Sequence, residues 1–413
     1  MSRAMKDSGI PWIGEIPKDW EVCFIKQIMR NKSIKGYPNE MVLSLYRDYG
    51  VVPKDSRSDN HNVTSEDTSS YKFVEVGDFV INKMKAWQGS MAVSEYRGII
   101  SPAYYICRFT STDINKRYIH YLLRNDSYKT EYMRLSSGLR VGQWDLNIDD
   151  FLRIMMILPP LAEQQRIAEF LDRKCAEIDE MIALQEQIIE ELKAYKQSVI
   201  TEAATKGLNP DVPMKDSGIE WIGQIPEHWD VKRLKFVAER HNQKVSDEVL
   251  PYIGLENVES FSERFIETEN EYDITQAQVC AVGDVIFGKL RPYLGKAMVI
   301  KTEHCCSSEF LVLSGSGAPS YLRYLLLSDW FVEIVNASTY GTKMPRANAD
   351  YIMNMQVVCP PIDERKAIAD YLDEKCADID NLIQTKQSKI DSLKEYKKSI
   401  IYEYVTGKKE VTE

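Results

Sequence analysis

Two long stretches of the chain carry an apolar stripe with a seven-residue period. In the first, Leu171, Ile178, Gln185, Leu192 and Val199 recur at that interval, flanked by Met181, Ile182, Ile188, Ile189 and Tyr195. In the second, Leu372, Ile379, Lys386, Leu393 and Ile400 do so, flanked by Leu382, Ile383, Ile390 and Tyr396. Neither Gly nor Pro occurs from Leu161 to Lys206 or from Ile362 to Thr406, and a Pro-Pro pair precedes each run. Proline is tolerated only in a helix's first turn, so the pattern predicts two helices entered at those pairs. A seven-residue stripe is the seam of a coiled coil. At about 1.5 Å per residue, each helix reaches on the order of 65 Å. One seam position is polar in both copies, Gln185 and Lys386, a device that fixes register. A whole module lies between the two seams, which therefore pair antiparallel.

The rest of the chain shows strand-like runs separated by turns, and it too is duplicated. Met5–Val22 returns as Met214–Val231 with 13 of 18 positions identical. Gly77-Asp-Phe-Val-Ile-Asn-Lys-Met-Lys-Ala-Trp-Gln-Gly89 aligns with Gly283-Asp-Val-Ile-Phe-Gly-Lys-Leu-Arg-Pro-Tyr-Leu-Gly295. In both, Gly-Asp opens a turn and an apolar run makes a strand. The offset between copies falls from 209 at the leader to 206 here and 201 at the Pro-Pro pairs, so the second module is shorter by about eight residues spread over several loops. The expected architecture is α+β. Two mixed globular modules, each with its leader, span 1–157 and 209–358; coiled-coil helices span 158–208 and 359–413. A repeat so long and so few in number is not a solenoid. It is pseudo-twofold, which suits a partner of twofold character such as duplex DNA.

Charge first argues against nucleic acid, because phosphate binding wants Lys and Arg and the net charge is −10. Counted by segment the picture changes. Residues 23–157 carry 19 Lys+Arg against 15 Asp+Glu, a net of +4, while 232–358 carry 13 against 16, a net of −3. Most of the acidity lies in the leaders and the helical runs. The eight cysteines form no CxxC pair. His304-Cys305-Cys306 is read as packing rather than a metal site, and Cys175 and Cys376 as small buried side chains at matching helix positions. No run of eighteen apolar residues exists and the first residues lack an apolar signal core, so a cytoplasmic location is expected.

No motif announces catalysis. Gly283–Leu290 departs from a P-loop at its last position, where a magnesium-binding hydroxyl belongs and Leu290 stands; the other copy has Asn82 in place of the second glycine. Leu158-Pro-Pro-Leu161 and Cys359-Pro-Pro-Ile362 lack the polar and aromatic residues by which a DNA amino-methyltransferase holds a flipped base, and they are explained as helix entries. No GxSxG, HExxH or GxGxxG is present. What remains is a set of cations, aromatics and amides in matched loops. Lys83, Lys85, Trp87, Gln88, Arg140 and Gln143 form the set in the first module; Lys289, Arg291, Tyr293, Lys343, Arg346 and Asn348 form it in the second. Arg and Lys contact phosphates or guanine edges, while Asn and Gln pair with adenine. Taken singly, each is equally well a solvated loop residue.

The layout resembles the specificity subunit of a type I restriction-modification system, over essentially the whole chain. The resemblance rests on "SGIPWIGEIPKDWEV" and its echo "SGIEWIGQIPEHWDV", on the helix openings "LPPLAEQQRIAEFLD" and "CPPIDERKAIADYLD", and on "YGTKMPRANADYI". The first module departs at that last place, reading "GLRVGQWDLNIDDF" without the Met-Pro pair. The resemblance implies a non-catalytic subunit with two target recognition domains, each reading one half of a split sequence in double-stranded DNA. It implies that the helices set the gap and dock two methyltransferase subunits, with restriction subunits as a further partner. S-adenosylmethionine, ATP and Mg would then belong to those partners, with no cofactor, metal or membrane contact in this chain. Two other readings stand beside it: a coiled-coil scaffold whose modules bind protein or a small ligand, and a self-sufficient DNA methyltransferase, which would need a cofactor glycine motif that is missing.

Overall fold

The computed structural model describes residues 3–47, 49–56, 67–138, 144–245, 250–268, 276–341 and 343–411. The chain divides into two compact units: Met1–Leu184 with Lys389–Glu413, and Gln185–Ser388. The division runs through the middle of both long helices, so each unit holds the first half of one and the last half of the other.

In the first unit, β1 (Met29–Lys32), β2 (Phe79–Asn82), β3 (Met91–Val93) and β4 (Tyr104–Phe109) form an antiparallel sheet in the order β1-β4-β2-β3. The central strand β2 is apolar from Phe79 to Ile81 because it is covered on both faces. Phe79 and Ile81 face the larger core with Tyr118, Leu122 and Tyr132, while Val80 faces a smaller one with Leu43, Val51 and Ile106. Such strands read as continuous apolar runs rather than alternation. The larger core is closed by α1 (Lys116–Arg124) and α2 (Asp126–Leu135), with Asn115 and Asn125 as side-chain N-caps. The long helix α3 follows, Leu161–Lys206.

The second unit repeats this plan. Strands β5 (Glu239–His241), β6 (Val285–Gly288), β7 (Ala297–Val299) and β8 (Phe310–Ser314) take the order β5-β8-β6-β7. Helices α4 (Pro319–Leu327) and α5 (Asp329–Ala337) cover it, and α6 is the second long helix, Ile362–Val405. The register carries over: Phe79 lies opposite Cys107, and Val285 opposite Leu313. The Gly-Asp turns entering β2 and β6 are closed by their carboxylates, Asp78 accepting from Glu75 N at 2.7 Å and Asp284 from Ala281 N at 2.8 Å. The segment comparable to a P-loop is therefore turn followed by strand, with no helix to cradle a phosphate. No helix among the described residues is long and apolar enough to cross a membrane.

The repeated leader is the clamp between module and helices. Trp20 and Trp229 are fully buried. Trp20 Nε1 donates to Glu163 at the start of α3 (3.0 Å), and Trp229 Nε1 to Glu364 at the start of α6 (2.9 Å). The opposite edge of each indole meets the end of the other helix. Gly407 and Gly207 terminate α6 and α3 at φ +70° and +76°, where an added Cβ would lie 3.0 Å from the Trp20 and Trp229 rings. Each helix end is also tied by a tyrosine: Tyr118 donates to Val405 O at 3.0 Å and Tyr321 to Ala204 O at 3.1 Å.

Within each unit the helix halves run antiparallel. In the first, the Phe170 and Tyr404 rings meet at a tilt with centroids 4.4 Å apart and Asp179 pairs with Lys397 at 2.6 Å. In the second, Lys196 pairs with Asp380 at 2.7 Å, and Ala203 shares a core with Leu372. Leu171, Ile178, Gln185, Leu372, Ile379 and Ile400 are buried; Leu192, Val199, Lys386 and Leu393 are half-buried. The second row of the seam is Cys175, Ile182, Ile189, Lys196 and Ala203, four residues after each member of the first. Met181, Tyr195, Leu382 and Tyr396, set three residues after, face solvent instead. Their apolar character suggests seam positions, but the helix turn of about 100° per residue carries them off the packed face.

Candidate nucleic-acid interface

In the first unit the turn after β2 is a single 3-10 turn, Ala86–Gln88, closed by Gly89 at φ +80°. Lys85 leads into it and is exposed; Lys83 and Gln88 are half-buried. A hairpin from some 55 residues later comes to lie beside it. Its arms are Ser136–Ser137 and Asp145–Leu146. Leu146 N donates to Lys83 O at 3.0 Å, and Lys83 Nζ stands 3.6 Å from Asp145. Trp87 donates to Met84 O at 3.2 Å and sets its ring 5.3 Å from that of Trp144. Arg140 and Gln143 lie outside the described residues.

The structure adds cations that the sequence order conceals. Lys72 Nζ donates to Tyr104 O at 2.6 Å and sits 5.5 Å from the Tyr105 ring. Its pKa is lowered, first by burial and then by the nearby charges of Lys35 and Lys83. Lys35 and Lys83, far from Lys72 in sequence, are thus close enough for their charge to be felt at its ammonium. Nothing in their spacing signals this.

The second unit builds the same junction. The 3-10 turn Pro292–Leu294 follows β6, preceded by Arg291 at φ +50°. Arg291 N donates to Pro345 O (2.7 Å) and Ala347 N to Lys289 O (2.9 Å), so the loop carrying Lys343 and Arg346 packs along the turn. Arg291, Tyr293, Lys343 and Arg346 are exposed. Lys289 is half-buried, and its pKa is lowered by burial, with Glu309 opposing and Arg240 and Arg346 adding to the fall. Arg346 is paired with Glu309, and Arg240 with Asp350 at 2.9 Å. Asn348 plays a structural part: its carbonyl caps the short helix Ala349–Asn354, accepting from Asp350 N at 2.7 Å. Asn147 does the same for Ile148–Leu152. Asn followed by an acidic residue two positions on is a legible N-cap signal. Elsewhere, His304–Cys306 is a strand, so its side chains alternate between faces, and among the described residues no three His, Cys, Asp or Glu side chains gather as a metal site.

Each unit therefore joins a strand-end turn bearing two cations and an aromatic to a second, sequence-distant loop, which in the second unit carries Lys343 and Arg346. Such a face offers point charges, bidentate donors and flat rings, the groups that contact a nucleic-acid backbone and base edges. Residues 17–194 match the family described as type I restriction modification DNA specificity domain. The type I restriction enzyme MjaVIII specificity subunit of Methanocaldococcus jannaschii is 26% identical, with 95% of this chain and 93% of that protein aligned. Over residues 17–194 the chain thus matches a type I DNA specificity domain, and over nearly its whole length it is similar to type I specificity subunits. Another relative is the Escherichia coli EcoDI specificity subunit, 24% identical over 72% of this chain and 71% of its own length. Among solved structures, a chain from a type I restriction-modification assembly aligns with a TM-score of 0.68 at 14% identity, covering 94% of this chain and 98% of its own. The HsdS subunit of Thermoanaerobacter tengcongensis aligns with a TM-score of 0.51 at 15% identity, covering 95% and 98%. These last two speak to the fold.

Proposed function

We propose that this chain is the non-catalytic subunit that gives a type I restriction-modification complex its DNA sequence specificity. Each module reads one half of a bipartite site in double-stranded DNA. The observation that carries this reading is the repeated junction of two sequence-distant loops, Lys83–Gln88 with the 136–146 hairpin and Lys289–Leu294 with the 340–347 loop. The similarity to type I specificity subunits gives that junction a task. The exposed cations contact phosphate and guanine edges, and Trp87, Trp144 and Tyr293 supply flat apolar surface beside them. The paired helices hold the two readers at a set separation and dock two methyltransferase subunits, with restriction subunits added for cleavage. S-adenosylmethionine, ATP and Mg act in those partners. DNA as the target and a site of action in the cytoplasm go together.

Methylation mapping tests the reading. The chain is expressed with its methyltransferase partner in a host lacking DNA methylation, and N6-methyladenine is located by sequencing. A split motif with a constant gap, absent when this chain is omitted, is the expected result. An assembled complex that adds no methylation would return the chain to the role of a scaffold.

A further inference from the structure

Among the described residues only two that are not glycine hold a positive φ, Phe261 at +53° and Arg291 at +50°. Side chains with a Cβ avoid this region, so surrounding contacts must impose it. Both residues lie in the second unit on one continuous path. Phe261 N donates to Gly295 O at 2.9 Å, and the Phe261 ring lies so close over Gly295 that a Cβ there would stand 2.5 Å from it. Gly295 closes the turn Pro292–Leu294 that presents Arg291 and Tyr293. At the other end of the path, Phe261 O accepts from Lys196 Nζ at 3.1 Å. Lys196 is a buried member of the α3 seam, 7% exposed, and both oxygens of Asp380 on α6 sit 2.7 Å from the same ammonium. The next residues of α3 reach the other flank. Gln197 donates to Leu327 O, and Thr201 Oγ1 accepts from Asp329 N at 3.0 Å, holding the start of α5, which packs on the same turn.

We propose that Lys196 is a positioning residue for DNA readout by the second module, holding Phe261 over Gly295 and so fixing the turn that carries Arg291 and Tyr293. This rests on the reading of that module as a DNA reader. An ammonium has three donors, and here they are divided between the partner helix and the module loop. The seam thereby orients the contact turn as well as pairing the helices. Lys397, the matching position in the first unit, bonds only Asp179 among the described residues. The two seams carry Lys at both places, and their sequences give no hint that one of them has a further partner.

The test uses the full chain in complex with its methyltransferase partner. Methylation rates are compared on the recognised sequence and on sequences with one base changed in either half. Lys196→Met keeps the length of the side chain and removes its donors. Discrimination in the half read by the second module is expected to fall about tenfold, the equivalent of one charged hydrogen bond. Discrimination in the other half stays as in the wild type. Thermal stability falls modestly, since Asp380 and the Phe261 carbonyl lose their shared donor while Asp380, half exposed, is still met by water. Lys196→Arg, which keeps a donor, recovers most of the loss, and Lys397→Met leaves both halves unchanged. Gly295→Ala, away from the seam, displaces Phe261 and is expected to reproduce the one-sided loss. Wild-type discrimination in both Lys196→Met and Gly295→Ala, or an equal loss in both halves, overturns the proposal while leaving the specificity role intact. A wild-type complex that reads no split sequence would instead remove the role itself.

Discussion

The two units share a frame and differ in the face they present. In both, an indole from the leader is clamped between a glutamate at one helix start and a glycine at the other helix end, with a tyrosine beside it. Distances agree between copies to about a tenth of an ångström, because the frame has one packing problem to solve and solves it with the same residues. The faces diverge. In the first unit Lys72 feels the positive charges of Lys35 and Lys83, and Lys83 is loosely paired with Asp145. In the second, Arg346 is paired with Glu309 and Arg240 with Asp350. The first face is thus a field of cations in which positive charge prevails. The second is a set of oriented, partly compensated ones. A field attracts phosphate at long range, whereas oriented donors favour discrimination at contact. The difference is in keeping with the net of +4 in residues 23–157 against −3 in 232–358.

The largest effect tests whether the frame is truly common. Trp20→Ala and Trp229→Ala each remove a buried indole and its hydrogen bond, and each is expected to cost about 3–5 kcal/mol. Denaturant unfolding should show similar losses; a cost confined to one copy would break the equivalence. Next comes the divergence of the faces. Replacing Lys35, Lys72 and Lys83 together by Ala should weaken DNA binding by the assembled complex and make its salt dependence shallower, by about 1 in slope for each phosphate no longer neutralised. Replacing Arg240, Lys289 and Arg346 should flatten it less and disturb sequence discrimination more, as measured by titrations at several salt concentrations. Equal slopes from the two triple variants would remove the contrast.

A smaller effect sharpens the frame again. Gly207→Ala and Gly407→Ala force a Cβ into the left-handed region at a helix end, a cost of about 1–2 kcal/mol each. The tight approach to the indole adds to it, and thermal unfolding reads the result. The smallest effect is on pH. Lys72 has a lowered pKa, so its charged form is disfavoured in the free protein and it loses its proton below the ordinary lysine range. Its burden on folding is present at lower pH and lifts as pH rises through that lowered value toward the ordinary one. Phosphate binding favours the charged form and runs the other way. Affinity for DNA should start to fall at a lower pH than ordinary lysines would give, and Lys72→Arg should move that fall upward. An unchanged pH profile in Lys72→Arg would take Lys72 off the contact face.

Much of this was written in local pattern. The Pro-Pro pairs, the uninterrupted runs after them and the seven-residue period determine where the long helices begin and that each has a seam, because these depend on backbone sterics and side-chain spacing within one element. The Gly-Asp turns and the apolar strands behind them follow for the same reason, and so does the duplication. The rest depends on contacts between residues far apart in the chain. Whether Met181 or Ile182 is packed turns on which face the neighbouring helix covers. Asn348 was legible as a cap and was nonetheless open to reading as a base contact, since an amide serves either purpose. Lys72 comes near Lys83 only when β2 and β4 pair, since Lys72 binds Tyr104 O and Lys83 N binds Ala103 O. Lys196 and Lys397 are the same residue at the same heptad position, and only the presence of the Phe261 carbonyl beside one of them makes their roles differ. A sequence determines which groups a chain can offer and the local geometry that displays them; which groups meet is decided by the packing that brings distant segments within hydrogen-bonding reach.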